Sequence, residues 1–367
     1  MENTWGKFYT VEIFGASHET EVGVRIHLPL GTKIDSEQVQ EELNRRKAKN
    51  VFWSTGRLEA DEICWEGLEK NKVISTPLCA RVENKNIKSK HYDFFPKLRP
   101  GHADYPAYVK YGKLFAGGGF FSGRMTVPLV IAGAVAKQFL KERGVEIVGQ
   151  ISKIGSEEAR SFLTSFPNKK ERTMLRRSDF PVMEPECTSK GDSVKDNMIA
   201  EIGLAVYERD SVGSAVEVGV TGLPAGLGEP FFGSLESRIA SLAFSVPGVK
   251  ALEFGMGKNF GEMNGSKAND LYEIKEGKIV TVTNHNGGIL GGLSTGMPLI
   301  FTVTFKPPSS IGRSQRTVTP YGETAELTLE GRHDPVIAPR AVVVMEAVCA
   351  MALWDALLAG EETGWKK

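Results

Sequence analysis

Net charge is what this chain lacks. Across 367 residues, 45 Lys and Arg stand against 45 Asp and Glu, a formal net charge of 0. A basic global field is therefore absent, which argues against sequence-blind nucleic-acid binding and leaves anion recognition to local clusters. Cysteine is scarce: Cys64, Cys79, Cys187 and Cys349 form no CxxC pair. That spacing suggests neither a zinc site nor a disulfide framework, so a reducing, intracellular compartment is the simpler expectation. The opening "MENTWGKFYTVEIFG" lacks the basic-then-apolar pattern of a secretory leader. The most apolar stretch, "AVVVMEAVCAMALWDALLAG", carries Glu346 and Asp355, and a buried helix explains it better than a membrane span. No fixed-period repeat and no low-complexity tract breaks the chain. The expectation is a cytoplasmic protein with no membrane or nucleic-acid partner and no metal.

What is present reads as mixed α and β. "KFYTVEIFG" and "SAVEVGVTG" alternate like half-buried strands, and "MPLIFTVTFKP" reads as a strand running into a loop. "DSEQVQEELNRRK" predicts a helix capped by Asp35 or Ser36, with Val39 and Leu43 on one face. "VPLVIAGAVAKQFLKERG" predicts another, with Pro128 in its first turn and Gly144 stopping it. Residues 192 to about 208 and 234 to 245 read as helical, whereas the polar stretch 168–180 reads as a solvated connection. Strands and helices do not alternate regularly, so one α+β domain over 1–367 is expected rather than a doubly wound sheet.

Histidine is sparse, and three of the six lie in glycine-rich or polar loops: His18 in "FGASHE", His102 in "RPGHADY" and His333 in "GRHDP". Imidazole moves protons near neutrality, so these are acid–base candidates; taken alone, each reads more readily as a surface or hydrogen-bonded structural residue. His27 and His91 take the structural reading. Arg45, Arg46, Arg57, Arg99, Arg124, Lys306, Arg332 and Arg340 sit at or beside turn signals. Their forks would suit a small polyanion if they converged, and would otherwise be scattered surface charge. Glycine clusters in "NHNGGILGGLSTG" and in "FAGGGFFSGR" let backbone approach a ligand closely. The second stretch is either an anion cradle ending at Arg124 or a packing turn in which Phe120 and Phe121 fill a core. "KPPSS", 306–310, offers an ammonium and two hydroxyls for a phosphate tail. "GMGKNFG" has a misplaced third glycine and no βαβ setting, which rules it out as a dinucleotide fingerprint, and no Walker sequence is present.

Taken in order, "FGASHE", "RPGHADYPAYVKYG", "DSVGSAVEV", "GLPAGLGEP", "SVPGVKALEFGMG", "TNHNGGILGGLSTG", "KPPSSI" and "GRHDPVIAPRAV" resemble the chorismate synthase family over nearly the whole chain. The resemblance implies a single-domain β-α-β sandwich of antiparallel sheets with helices between, assembled as a homotetramer. It implies a lyase that converts 5-enolpyruvylshikimate 3-phosphate to chorismate by 1,4-anti elimination of phosphate, with reduced FMN and no net oxidation. An electron-rich flavin ring lends density to the breaking C–O bond, while the protein supplies placement, dryness and protons. In this form an external flavin reductase supplies the reduced FMN.

The same resemblance assigns residues. His102 is implied as the proton donor near the leaving phosphate, and His18 as the acid that keeps the flavin correctly protonated. Asp334 is implied as the carboxylate that helps the flavin act as a base. Arg46, Arg99 and Arg124, together with Arg57, are implied to hold the substrate's carboxylates and phosphate, and Arg332 likewise lies among the anion-holding arginines at the flavin. Ser122, Pro247, Gly248, Gly291, Lys306, Pro307, Pro308, Ser309 and Ser310 are implied to contact FMN. The chain also departs from the family pattern. Ala116, Phe120 and Phe121 stand where the family has two arginines and a serine, and Ala16 and Glu19 replace an acid and a glycine around His18. Phe52 replaces a substrate arginine, with Arg57 close enough in sequence to compensate; Pro308 replaces a threonine and Val336 a cysteine.

Overall fold

A computed structural model describes residues 2–56, 59–85, 96–184, 193–329, 333–362 and 364–365. His91, Cys187, Arg57 and Arg332 lie outside the described residues. Two five-stranded sheets, antiparallel at every pairing, form the outer layers. The first runs in the order Thr4–Trp5, Val11–Gly15, Glu21–Ile26, Leu78–Glu83, Cys64–Glu66. Its alternation is visible in the register: Val22 pairs Val82, Val24 pairs Ala80 and Ile26 pairs Leu78, and all six are buried on one face. The second sheet runs Val249–Phe254, Leu299–Phe305, Ser214–Thr221, Glu146–Ile154, Glu157–Glu158.

Between the sheets lie two long helices, Thr126–Glu142 and Ala338–Glu362, flanked by Ser36–Arg46 and Leu235–Ala243. The two long helices approach closely because one of them offers no side chain at the crossing: a Cβ on Gly133 would overlap Cα and Cβ of Ala347. Helix Ala338–Glu362 is apolar all round because it is a middle layer, with 94% of its most apolar 18-residue window buried inside the protein. Its two acidic residues are satisfied there. Glu346 accepts from Arg45 Nη1 at 2.6 Å, Lys137 Nζ at 2.6 Å and the Gly149 amide at 2.9 Å. Asp355 accepts the amides of Lys7, Phe8 and Tyr9 at 2.7–2.9 Å and pairs with Arg238.

Most elements fall where the pattern puts them. Asp35 caps the helix Ser36–Arg46 through the amides of Glu37 and Gln38, and Gly144 follows the end of Thr126–Glu142 at φ +76°. "KFYTVEIFG" becomes a strand only at Val11–Gly15, since the amides of residues 7–9 are given to Asp355 instead of a neighbouring strand. The stretch 168–180 is a correction. It contains the helix Lys169–Arg177, started by a capping box in which Asn168 and Glu171 each accept the other's backbone amide. Leu175 from this helix, with Phe162 and Met183, covers Val148 and Ile300 on the outer face of the second sheet. The layered stack places three helix ends together at one edge: the carboxyl end of Ser36–Arg46 and the amino ends of Thr126–Glu142 and Ala338–Glu362. Arg46 Nε donates to Thr126 Oγ1 at 2.7 Å, and Arg340 Nε donates to the Arg46 carbonyl at 3.2 Å.

Candidate functional site

That edge opens into a cavity of about 740 Å³, within the ~300–1,000 Å³ typical of small-molecule and cofactor sites. Residues hundreds of positions apart line it, His18, His102 and Asp334 among them. Six cations face four carboxylates among the described lining residues, so a chain with no net charge concentrates a surplus of two here. Such a field suits an anion.

The glycine stretch forms one wall. Gly117, Gly118 and Gly119 all have positive φ, at 59°, 83° and 51°. A Cβ on Gly117 would overlap Cε1 and Nδ1 of His18, so the imidazole lies directly on this backbone. Ser17 Oγ donates to the Gly117 carbonyl at 3.1 Å and lies 3.2 Å from His18 Nδ1, where it can accept the Nδ1 proton. Past the glycines, Phe120 and Phe121 stand against Phe115 with ring centroids 5.5 and 6.0 Å away. All three rings line the cavity. The stretch is thus both alternatives at once: a turn packed on His18 and an aromatic wall, followed by Arg124.

Arg124 is nearly enclosed. Its Nε donates to Asn84 Oδ1 at 2.8 Å, its Nη2 to the Glu83 carbonyl at 3.3 Å and its Nη1 to Asp61 Oδ1. Arg46 is held likewise by Thr126 Oγ1, the Gly123 carbonyl at 2.9 Å and Asp61 Oδ2 at 3.4 Å. Burial and the like charges of Arg340 and Arg124 push the Arg46 guanidinium down to about 9, with Asp61 opposing. Arg99 forks onto Asp104 at 2.7 and 2.8 Å. Burial pushes the Asp104 carboxyl up, but the hydrogen bonds and charge of Arg99 outweigh it and hold it below the usual range. Asp334 accepts from the Thr55 amide at 2.8 Å and from Arg340 Nη1 at 2.6 Å.

On the other side, His102 Nδ1 lies 3.0 Å from the Pro100 carbonyl, which only accepts, so Nδ1 carries the proton. Nε2 is then an acceptor in the neutral ring and takes the Ser310 hydroxyl proton at 2.9 Å. Burial, and then the charge of Arg99, push His102 down to about 4, so the imidazole is neutral here at physiological pH. Lys306 Nζ donates to the Gly101 carbonyl and to Ser309 Oγ at 2.7 Å; burial and neighbouring Lys250 hold it below the usual lysine range. Pro247, Gly248 and Lys250 complete this rim.

The structure therefore brings together His18, His102, Asp334, Arg46, Arg99, Arg124, Ser122, Pro247, Gly248 and the run Lys306–Ser310. Gly291 is not among them. It lies between the short paired strands Ile289–Leu290 and Leu293–Ser294, away from the cavity lining. Phe52 does not line the cavity either; its ring packs edge-on against Trp53 with centroids 5.0 Å apart. Sequence reasoning missed Asp61, Asn84, Thr55 and Lys250, and gave Arg340 no role. Two buried arginines require a buried counter-charge, but nothing in the sequence says which carboxylate supplies it.

Comparison with known proteins gives a consistent result. The family model described as chorismate synthase matches residues 9–358. A chorismate synthase from Pyrococcus abyssi is 42% identical over 359 residues, covering 96% of this chain and 97% of the relative. One from Dehalococcoides mccartyi is 40% identical over 368 residues, covering 98% of each. A crystal structure of chorismate synthase superposes with a TM-score of 0.71 at 23% identity, over 96% of this chain and 92% of the other, and supports the sandwich fold.

Proposed function

Because the chain belongs to the chorismate synthase family, we propose that it eliminates phosphate from 5-enolpyruvylshikimate 3-phosphate to give chorismate, using reduced FMN without net redox change. The observation that carries the reading is that His18, His102 and Asp334, far apart in sequence, share one arginine-lined cavity.

The residues present fit both ligands. A phosphate tail would find Lys306, Ser309, Ser310 and Lys250 on one rim, with Arg332 as a further cation by family resemblance. A flat ring would find the Pro247–Gly248 backbone and the aromatic wall of Phe120 and Phe121. Reduced FMN, when bound, supplies an electron-rich ring against the substrate. Arg46, Arg99 and Arg124 hold the substrate's carboxylates and phosphate, with Arg57 as a fourth cation, and so offset the cost of taking three anionic groups out of water.

His102 is neutral without ligand, so proton donation to the leaving phosphate requires that ligand anions raise its affinity for a proton. A phosphate dianion against Nε2 does this by direct charge attraction and would replace the Ser310 hydrogen bond. The same anion that needs protonating thus loads its own acid, an arrangement worth roughly 10²–10⁴-fold in rate for a positioned group. His18, seated on Gly117, is the second acid. Asp334 keeps an anionic charge on the flavin side of the cavity while Arg340 and the Thr55 amide fix its direction. The protein acts in the cytoplasm with an external flavin reductase. Exposed apolar side chains such as Phe231, Phe232, Ile274 and Ile279 support assembly into the family's homotetramer.

The test is turnover. Purified protein with dithionite-reduced FMN under anaerobic conditions should form chorismate; no product beside a working positive-control enzyme would refute the reading. The apolar wall of Phe120 and Phe121 favours a second reading, a paralogue acting on a related phosphorylated enol ether. A substrate panel in the same assay separates the two.

A further inference from the structure

Asp61 has no role in the proposed reaction, yet it sits where the arginines are. Its side chain is 2% exposed, with one oxygen on Arg124 Nη1 and the other 3.4 Å from Arg46 Nη1. The other partners of those two guanidiniums are neutral: Asn84 Oδ1, the Glu83 carbonyl, Thr126 Oγ1 and the Gly123 carbonyl. Among the described residues, Asp61 is therefore the carboxylate that touches both. Its backbone adds a second, independent observation. Asp61 has φ +46°, in the left-handed region that side chains other than glycine rarely adopt, and its carbonyl is fixed by Gln40 Nε2 at 2.9 Å. A residue held there by its surroundings points to a constraint on where its side chain must be.

We propose that Asp61 is a positioning residue, a built-in counter-anion that holds the forks of Arg46 and Arg124 apart and ready, and whose charge limits how tightly that pair takes an oxyanion. The inference rests on reading the cavity as an anion site. A carboxylate between two guanidiniums occupies the place a phosphate or carboxylate oxygen of a ligand would take. The two contacts are unequal. The Arg124 contact is close, whereas the 3.4 Å contact to Arg46 is at the long limit of a hydrogen bond and is the one an incoming anion displaces. Without Asp61, neither guanidinium would touch a carboxylate among the described residues, and a diffusible anion would fill the gap.

The experiment titrates inorganic phosphate into full-length, flavin-free protein by calorimetry, comparing wild type with Asp61→Asn and Asp61→Gly. Asparagine and glycine both tolerate the left-handed backbone, so neither variant confounds charge with strain. Both variants are expected to bind phosphate at least ten-fold more tightly than wild type, and Arg124→Gln added to Asp61→Asn should abolish the gain. If a variant is unstable in phosphate-free buffer, phosphate should restore its melting temperature while chloride at equal ionic strength does not. Phosphate affinity no higher than wild type, a gain that survives Arg124→Gln, or instability that phosphate fails to rescue would each overturn the proposal. The titration needs no turnover, so its failure is distinguishable from failure of the proposed reaction.

Discussion

Gly117→Ala is the perturbation in which local backbone, packing and function are most tightly joined. Two costs can be read from the structure. The new residue would sit at φ +59°, where an L-residue costs about 1–2 kcal/mol. Its Cβ would overlap Cε1 and Nδ1 of His18 and lie 2.9 Å from Nε2. The imidazole must therefore swing away, forfeiting its contact with Ser17, worth about 0.5–1.5 kcal/mol. The expected loss of stability is about 1.5–3.5 kcal/mol. Gly118→Ala is the internal control. It carries the same kind of backbone penalty at φ +83°, but its Cβ would meet only Ser122 Cβ at 3.7 Å. Urea unfolding should separate the two variants by about 1 kcal/mol. Turnover should separate them further, since misplacing an acid by about an ångström can cost roughly 100-fold. A histidine-detected NMR spectrum should show the His18 resonances moved in Gly117→Ala and unmoved in Gly118→Ala. Equal stability and equal rates for the two variants would refute the idea that this glycine exists to seat His18.

Glu346→Gln breaks a buried cluster with Arg45 and Lys137 and should cost about 3–5 kcal/mol in denaturant unfolding. Burial pushes the Glu346 carboxyl up, but those two cations outweigh it and hold it well below the usual range. Its contribution is thus full above the unfolded pKa, near 4.3, and is lost as pH falls further; Glu346→Gln should remove this part of acid denaturation. His102 has the opposite preference for charge, since the fold favours its neutral form. Between pH 6.5 and about 4 the unfolded chain takes up a proton that the folded one refuses, so stability falls with pH across that window. In NMR titration the His102 imidazole should titrate near 4 in free protein and move upward with saturating phosphate. Titration near 6.5 without ligand would contradict the neutral, Ser310-bonded ring.

Local chemistry made much of the fold readable. Asp35 at a helix start and Gly144 after a helix end each report a nearest-neighbour constraint, whereas Ser214–Thr221, expected to be a half-buried strand, is buried on both faces because it is a central strand of its sheet. Cavity-lining residues were readable where they sit in a long motif, as around His102 and Lys306–Ser310. What stayed hidden depends on distant partners. The strand in "KFYTVEIFG" begins late because Asp355, more than 340 positions away, takes its first amides. The helix Lys169–Arg177 had a local signal, Asn168 three residues before Glu171, but its polar composition masked a single apolar contact through Leu175. Asp61 is the hardest case. An isolated aspartate near a turn announces nothing until folding brings Arg46 and Arg124 to it. Gly291 shows the converse: it belongs to a glycine-rich motif, yet it is not among the residues that line the cavity.

The central claim is that one cavity holds the flavin and the phosphorylated substrate together against His18, His102 and Asp334. A crystal structure of the ternary complex with FMN and 5-enolpyruvylshikimate 3-phosphate tests it directly. The account predicts the flavin ring within van der Waals contact, about 4 Å, of the Pro247–Gly248 backbone, with the substrate's phosphate beside His102. Ligand density elsewhere on the protein, with this cavity filled only by solvent, would contradict it.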